Sequence, residues 1–259
     1  MEHSSRYIVG FAAAVCGVCS IFVATAAVSL KDRQELNAQL DVQKKVLELV
    51  GLMEPGASLE TEEIQTLYRD SIEARVVNLA TGSIVEDVDP ALFDQRAAAA
   101  DPDTSREAPP NQAKVRRVPE QGLVYLLRED GQIKTLVFPV EGKGLWSTLY
   151  GFLALESDAR TVAGITFYEH GETPGLGGEV DNPRWKALWK GRKAFDEQWQ
   201  VALKVKKGAA GPVEADPYQV DGLSGATITS RGVSGLVSFW LGREGYGSYL
   251  EQYRSERGI

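Results

Sequence analysis

An apolar segment near the N-terminus limits what this chain can fold into. Residues 7–30 run for 24 positions without a charged side chain. A helix of that length is long enough to cross the hydrocarbon core of a bilayer. A cleaved signal peptide is the alternative, because Ala24-Thr25-Ala26 is similar to a cleavage site, but its apolar core would be shorter. We therefore expect a short tail, residues 1–6, and then an uncleaved transmembrane helix in a lipid bilayer.

The basic residues beside this segment give a weak indication of its orientation. Arg6 precedes the segment, and several basic residues follow it, namely Lys31, Arg33, Lys44 and Lys45. The local basic count alone would keep the large domain in the cytoplasm. Long domains are translocated largely regardless of such counts, so the side of the membrane stays open at this point.

Composition excludes several kinds of site. With 259 residues, 43% hydrophobic and 25% charged, the chain suits one globular unit or two small ones. Its net charge of -8 argues against nucleic acid as a main partner. Cys16 and Cys19 lie inside the apolar run, where a redox dithiol would lack water and a stabilising charge. His3 and His170 are too far apart to suggest zinc, and we expect no metal site.

Residues 31–120 combine helical and irregular patterns. Apolar spacing predicts helices over residues 31–52 and 59–72, and β-branched residues predict a short strand over 74–79. Residues 87–117 show no sustained period and contain several Asp and Pro109-Pro110. We expect a flexible surface excursion or linker there, with a partner-binding loop as the alternative.

Residues 121–259 indicate a β-rich domain with a C-terminal helix. Strands are predicted over residues 123–128 and 133–140, joined by Asp130-Gly131, and over 149–155, 162–167, 199–205 and 218–220. Asn182 and Pro183 are typical of a helix start. The whole pattern predicts an α+β fold, in which two packed sheets or half-barrels with flanking helices follow one anchor helix.

Three glycine-rich loops stand out in this β-rich part, over residues 142–146, 171–178 and 222–226. Such loops suit a planar aromatic cofactor with a phosphate tail. Trp146 and Leu176 could contact the ring, and Glu172 and Thr173 could lie at its edge beside Gly175. The alternative is that Trp146 and Leu176 are core residues at loop ends.

The third loop lies between a strand-like segment and an apolar helical one. Its sequence is Asp221-Gly222-Leu223-Ser224-Gly225-Ala226-Thr227. Small residues let a ligand approach the backbone, and free N–H groups at a helix start favour a phosphate. Ser224, Thr229 and Ser230 are candidates for capping the helix or contacting that phosphate. A glycine turn that only caps the helix would produce the same pattern.

Hydrolase and dehydrogenase chemistry find little support. Ser224 has no evident base, because His170 is the only histidine beyond the N-terminal tail. Glu172 and Glu179 could pair for glycoside chemistry, but nothing in the sequence sets their separation. Gly175-Leu176-Gly177 lacks the strand–turn–helix context of a dinucleotide site. We therefore expect no catalytic residue of these classes.

The Asp221 to Thr227 stretch resembles the flavinylation motif of the FMN-binding domain family. In that motif an Asp precedes Ser/Thr-Gly-Ala-Thr, and FMN is esterified through its phosphate to the final Thr. The resemblance implies Thr227 as the attachment residue of a covalent FMN and implies that Ser224, Gly225 and Ala226 lie beside the cofactor. We predict that Asp221 serves recognition by the flavin transferase.

The layout of the full chain is similar to the C-subunit family of sodium-translocating NADH:quinone oxidoreductases. The similarity rests on the anchor helix, the following charged helix, the loop Glu172-Thr173-Pro174-Gly175-Leu176-Gly177, the segment Asn182-Pro183-Arg184-Trp185 and the flavin motif. It implies that the chain relays single electrons among the other subunits, with quinone as final acceptor and sodium export as the coupled step.

The resemblance also implies a location and a route of maturation. A separate flavin transferase attaches the cofactor from FAD with magnesium on the periplasmic side of the bacterial inner membrane. Two alternatives remain open from sequence. One is the G-subunit of an Rnf-type complex, which passes electrons between ferredoxin and NAD, and the other is a membrane-anchored FMN-binding sensory module.

Overall fold

The computed structural model describes residues 4–259, apart from the side chains at positions 32 and 35. The chain divides into two compact units, one ending at Val42 and the other comprising Gln43–Ile259. His3 and the first half of the predicted tail lie outside the described residues.

Helix α1, Ser5–Leu49, is one continuous helix of 45 residues. It joins the predicted membrane helix to the predicted helix over residues 31–52, because no glycine or proline between positions 18 and 50 interrupts it. It ends at Leu49, just before Gly51, which has a φ of +81°, whereas the predicted helix runs to residue 52. The part Ser5–Lys31 is apolar and long enough to cross a bilayer, and none of it is buried.

A second helix leads directly into the main sheet. Helix α2, Thr61–Ser71, begins after Glu60, where Glu63 accepts a hydrogen bond from the Glu60 N–H in a capping box. Strand β1, Ile72–Asn78, follows without a connecting loop. Both elements match the predicted helix and strand to within a few residues.

The main sheet has six antiparallel strands in the order β2-β1-β5-β6-β7-β8. The remaining strands are β2 Ile84–Val85, β5 Gln121–Glu129, β6 Gln132–Lys143, β7 Thr148–Glu156 and β8 Val162–Glu169. Asp130 and Gly131 join β5 to β6 with φ values of +50° and +75°, which confirms the predicted hairpin turn. Since β1 pairs with β5 along its full length, residues from the segment 31–120 share this sheet with the C-terminal segment.

Residues 87–117 contain more regular structure than the sequence indicates. Helix α3, Gln95–Ala100, is capped by Asp94, and strand β3, Ser105–Glu107, pairs with β4, Arg117–Pro119. Ala113 is fully buried. Elements of three to six residues are too short to produce a hydrophobic period, which is why the sequence pattern missed them.

The predicted strand over residues 199–205 is wrong except at its end. Lys204–Val205 forms β9, which pairs in parallel with β10, Gln219–Val220, and Val201 makes only an isolated bridge to Phe195. Trp199 has a φ of +58°, and the Asp196 carboxylate accepts hydrogen bonds from nearby backbone N–H groups. The segment therefore turns where the sequence suggests extension. The predicted helix start is confirmed: Asn182 caps α4, Pro183–Ala187.

Helices cover both faces of the main sheet. On one face the Tyr68 ring of α2 lies 6.5 Å from that of Tyr125, and on the other the Phe138 ring lies 4.9 Å from that of Tyr246. Two C-terminal helices, α5 Thr227–Leu241 and α6 Gly247–Arg257, flank Tyr246. The α+β class is as predicted, with the strands gathered in one main sheet and two two-stranded sheets.

Helix α5 approaches β6 closely through a glycine. A Cβ atom at Gly232 would lie 2.2 Å from the Lys143 carbonyl oxygen, so only glycine allows this contact. The first turns of α5 therefore lie beside the loop that follows β6.

Candidate functional site

The buried carboxylate of Glu172 holds three segments of the chain together. Its Oε1 accepts hydrogen bonds from the N–H groups of Trp146 at 2.9 Å and Ser147 at 3.1 Å. Its Oε2 accepts from the Leu145 N–H at 3.1 Å and from Thr229 Oγ1 at 2.6 Å. The loop after β6, the loop after β8 and the first turn of α5 thus meet at one side chain, which is only 5% exposed.

These contacts keep Glu172 ionised. Burial alone raises the pKa of a carboxyl group. At Glu172 the hydrogen bonds from the Thr229 hydroxyl and from the backbone N–H groups outweigh burial, and its pKa lies below the ordinary value of 4.5. The site therefore contains a fixed negative charge whose acceptor positions are directed at the protein.

Two glycines fit directly against this carboxylate. A Cβ atom at Gly144 would lie 2.6 Å from Glu172 Oε1, and one at Gly177 would lie 2.5 Å from Oε2. Neither position has room for a side chain. At these two positions the glycine-rich loops accommodate Glu172, whereas the sequence suggests that they accommodate a ligand. This geometry favours a positioning role for Glu172 over contact with a ring edge.

Thr227 lies at the first position of α5 and is exposed. The residue before it, Ala226, is the N-cap and offers no side-chain hydrogen bond. Within the described part of the chain, the N–H groups of Thr227, Ile228 and Thr229 donate to no acceptor. The helix therefore starts with free donors beside an accessible hydroxyl, as an anion-binding helix start requires.

The neighbouring hydroxyls expected to cap the helix or contact a phosphate differ in their partners. Thr229 is buried and its hydroxyl donates to Glu172. Ser230 Oγ is also buried and accepts from the Leu223 N–H at 3.0 Å. Ser224 is exposed, and its hydroxyl has no partner among the described residues. Of the three candidates, Ser224 alone has a hydroxyl free for a ligand.

Exposed apolar side chains surround the helix start. They come from the first two glycine-rich loops and from the first turn of α5. Their exposed fractions are 44%, 67%, 44% and 52%, in the order Leu145, Trp146, Leu176 and Ile228. Such a group of large apolar side chains in water commonly marks a binding surface. The exposure of Trp146 and Leu176 excludes the alternative that they are core residues at loop ends.

Leu176 also contacts the third loop. Gly225 has a φ of +71°, and a Cβ atom there would lie 2.8 Å from Leu176 Cδ2. Gly175 has a φ of +75°, and a Cβ atom there would meet no described atom within 4 Å beyond its chain neighbours. The Thr173 carbonyl accepts hydrogen bonds from the Leu176 and Gly178 N–H groups, and Thr173 is exposed.

The Asp221 side chain makes its hydrogen bond with a segment other than the helix start. Its Oδ1 accepts from the Ala210 N–H at 2.8 Å, and its carbonyl oxygen accepts from Trp185 Nε1 at 2.8 Å. The structure thus joins the loops of Trp146 and Glu172 to α5 through Thr229 and places Leu176 against Gly225, while the Asp221 side chain supports the segment before the motif.

His170 is not placed to act as a base for Ser224. Its Nδ1 accepts from the Glu172 N–H at 3.2 Å, so Nε2 carries the proton and donates to Asp181 Oδ2 at 2.7 Å. Both ring nitrogens have partners in the protein. The geometry gives no nucleophile–base pair at Ser224.

Taken together, these features suit a ligand with an anionic end and a flat apolar ring. The free N–H groups and hydroxyl at Thr227 would receive the anionic end. The exposed apolar side chains of the first two loops and of the first turn of α5 would cover the ring.

Comparison with known proteins agrees with this geometry. The model of the FMN-binding domain family matches residues 144–242. The C-subunit of the Na(+)-translocating NADH-quinone reductase of Pseudomonas aeruginosa is 49% identical over 243 residues, covering 93% of this chain and 92% of that protein. The corresponding protein of Vibrio parahaemolyticus is 47% identical, with 92% and 90% covered.

Solved structures give the same result. The crystal structure of NqrC from Shewanella oneidensis matches with a TM-score of 0.76 and 36% identity, over 83% of this chain and 96% of that chain. The C-subunit of the Na(+)-translocating NADH-quinone reductase from Parabacteroides distasonis matches with a TM-score of 0.66 and 30% identity, over 85% and 96%.

Proposed function

This chain belongs to the C-subunit family of the Na(+)-translocating NADH-quinone reductases, and from that premise we propose that its FMN is attached to Thr227 by a phosphoester. The chain is an electron-transfer subunit of that oxidoreductase complex and has an FMN-binding domain over residues 144–242. Its N-terminal apolar helix anchors it in the membrane.

The exposed Thr227 hydroxyl at an uncapped helix start carries the proposal. An attachment residue must be reachable by the enzyme that modifies it, and Thr227 is exposed at the surface. The free N–H groups of Thr227, Ile228 and Thr229 would receive the phosphate oxygens, and the positive end of the helix dipole would offset part of the remaining charge. Ser224, Gly225 and Ala226 would flank the phosphate.

Leu145, Trp146, Leu176 and Ile228 would hold the ring. FMN, when bound, supplies the one-electron transfer between the neighbouring centres of the complex. The Glu172 hydrogen bonds fix the backbone that carries Leu145 and Trp146, and these two side chains would hold the ring in one orientation. Thr173 and Gly175 remain the proposed contacts at the ring edge.

The proposal includes the periplasmic side of the membrane and a separate flavin transferase. A covalent tether would keep the cofactor in place outside the cytoplasm, where free flavin is scarce. The similarity to the C-subunit over more than nine-tenths of the chain favours this assignment over the G-subunit of an Rnf-type complex and over a sensory module.

Flavin fluorescence in a denaturing gel tests the attachment. We expect wild type to fluoresce and Thr227→Val, which is nearly isosteric, to be dark. Ser224→Ala serves as the matched control because it removes the other exposed hydroxyl of the motif, and it should retain the fluorescence. Mass spectrometry of the peptide then locates the adduct. An adduct on Ser224, or fluorescence that persists in Thr227→Val, would rule out the assignment.

The predicted role of Asp221 in recognition by the transferase has its own test. Asp221→Asn keeps an acceptor for the Ala210 N–H but removes the charge, whereas Asp221→Ala removes both. If the charge serves recognition, both variants should be poorly flavinylated while remaining folded. Flavinylation of Asp221→Ala at the wild-type level would contradict this role.

A further inference from the structure

Arg231 is a charged residue of α5 that lies outside the Asp221 to Thr227 motif. It is exposed, and it makes no ion pair, hydrogen bond or ring contact within residues 4–259. Its two neighbours in sequence, Ser230 and Gly232, are buried. The long cationic side chain thus lies on the solvent-facing side of the helix with no partner in the described part of the chain.

Helical spacing places Arg231 on the same face as Thr227. Residues four apart lie one above the other on an α-helix, with Cβ atoms roughly 5–6 Å apart. The Cα–Cβ bonds tilt toward the helix N-terminus, so a side chain covers the turn that precedes it. The turn that precedes Arg231 begins at Thr227.

A cation beside Thr227 would compensate negative charge at the site. Glu172 is ionised and is hydrogen-bonded to Thr229, two positions after Thr227. A phosphate ester would add a second negative charge to that of this carboxylate. The helix start supplies only about half a positive charge in compensation.

Two lysines near the site already have partners in the protein. Lys143 Nζ donates to the Trp146 carbonyl at 3.1 Å, and Lys206 Nζ lies 3.7 Å from Asp216 Oδ2. Among the described residues of α5, Arg231 is the only cationic side chain. Guanidinium groups bind phosphate through two parallel N–H donors, which a lysine ammonium cannot do.

We propose that Arg231 binds the phosphodiester of the flavin attached to Thr227 and neutralises its remaining charge. The inference rests on the proposed attachment at Thr227. It adds to the site a cofactor-binding residue that lies outside the seven-residue motif. By holding the phosphate, Arg231 would limit the rotation of the tether and place a positive charge near the ring.

The test uses the full-length chain, matured in its own membrane and purified in detergent, with two measurements on the bound flavin. These are the ³¹P resonance of the phosphodiester and the midpoint potential. Arg231→Gln should shift the resonance and lower the potential, because reduction adds negative charge that the guanidinium stabilises. Arg231→Lys should restore part of both values, since it keeps the charge and loses the paired donors.

Varying the ionic strength provides a second, independent measurement of the same interaction. Raising the ionic strength from about 0.1 M to about 1 M shortens the screening length from about 10 Å to about 3 Å. The difference in potential between wild type and Arg231→Gln should therefore shrink at high salt. Arg243→Gln is the matched control: it removes an arginine just beyond the other end of α5, roughly 20 Å from Thr227 along the helix.

The outcomes separate the two proposals. If Arg231→Gln carries covalent flavin with the same resonance and potential as Arg243→Gln, Arg231 does not bind the phosphate, although the attachment at Thr227 stands. Absence of covalent flavin from wild type overturns the attachment and the role of Arg231 together.

Discussion

Thr229 Oγ1 donates a 2.6 Å hydrogen bond to Glu172 Oε2, joining two residues that are 57 positions apart in the chain. Both side chains are buried. The same carboxylate also fixes the backbone of the loop over residues 145–147. One acidic residue thus links the helix start to the loop that carries Leu145 and Trp146.

We predict that Glu172→Gln destabilises the protein by about 1–3 kcal/mol. The glutamine amide presents donors to backbone N–H groups, so at least one buried donor loses its acceptor. Urea unfolding measures the change, and Trp146 fluorescence should show a looser loop. Glu197→Gln, at an exposed position, is the control and should change stability by less than about 0.5 kcal/mol. Equal effects of the two substitutions would contradict the central role of Glu172.

Thr229→Val should remove the same interaction from the other side. Valine has nearly the same shape as threonine but donates no hydrogen bond, and the expected loss is about 1 kcal/mol. The double variant with Glu172→Gln should cost less than the sum of the single variants, because both remove one hydrogen bond. Strict additivity in the unfolding experiment would show that the two side chains do not interact.

The lowered pKa of Glu172 predicts a specific dependence of stability on pH. The folded state holds a proton on this carboxyl less tightly than the unfolded chain does. The stabilisation from Glu172 is therefore complete above its ordinary pKa of 4.5 and is lost as the pH falls below that value toward the folded pKa. The difference in unfolding free energy between wild type and Glu172→Gln should be constant near neutral pH and shrink under acid conditions. A difference that grows as the pH falls would reverse the assignment.

Gly225→Ala should impair the site by two mechanisms that a control can separate. Alanine at a φ of +71° costs roughly 1–2 kcal/mol, and its Cβ would also displace Leu176. Gly175→Ala carries a similar backbone cost at +75° with no neighbour within 4 Å. We expect lower flavin incorporation in Gly225→Ala than in Gly175→Ala, measured by in-gel fluorescence, with partial recovery when Leu176→Ala is added. Indistinguishable incorporation in the two glycine variants would mean that the Leu176 contact is unimportant.

Arg96→Ala should loosen the stretch over residues 87–117 with little effect on global stability. Arg96 pairs with Glu169 at 2.5 Å and lies 3.7 Å from the Tyr150 ring centroid, and the two contacts together are worth on the order of 1 kcal/mol. Thermolysin should cleave this stretch faster in Arg96→Ala than in Arg116→Ala, an exposed arginine of the same stretch. Equal cleavage rates in the two variants would show that other contacts, and not those of Arg96, keep residues 87–117 ordered.

Sequence patterns predicted the elements whose causes are local. The Asp130-Gly131 turn and the Asn182 cap depend on residues within four positions of each other. The positioning role of Glu172 depends on partners 25 to 57 positions away, so no local pattern reveals it. The one sequence feature that pointed to Glu172 was a carboxylate inside a glycine-rich loop. The same feature also suits a contact with the edge of the flavin ring, which is the role that the sequence predicted.

The strand predicted over residues 199–205 shows the opposite failure. Its β-prone composition was outweighed by the left-handed Trp199 and by an aspartate four positions before Gln200. The segment has a local propensity for β-structure, but hydrogen bonds from the backbone to the aspartate side chain stabilise a turn instead.

The long sequence separation between Glu172 and Thr229 affects the order of synthesis, folding and flavin attachment. The anchor is made first, whereas α5, which carries Thr227, is among the last elements made. The hydrogen bond between Thr229 and the carboxylate can form only after α5 has been made. A flavin transferase that recognises this arrangement would act only on folded molecules. Attachment of the flavin would then show that a molecule is completely folded before it joins the complex.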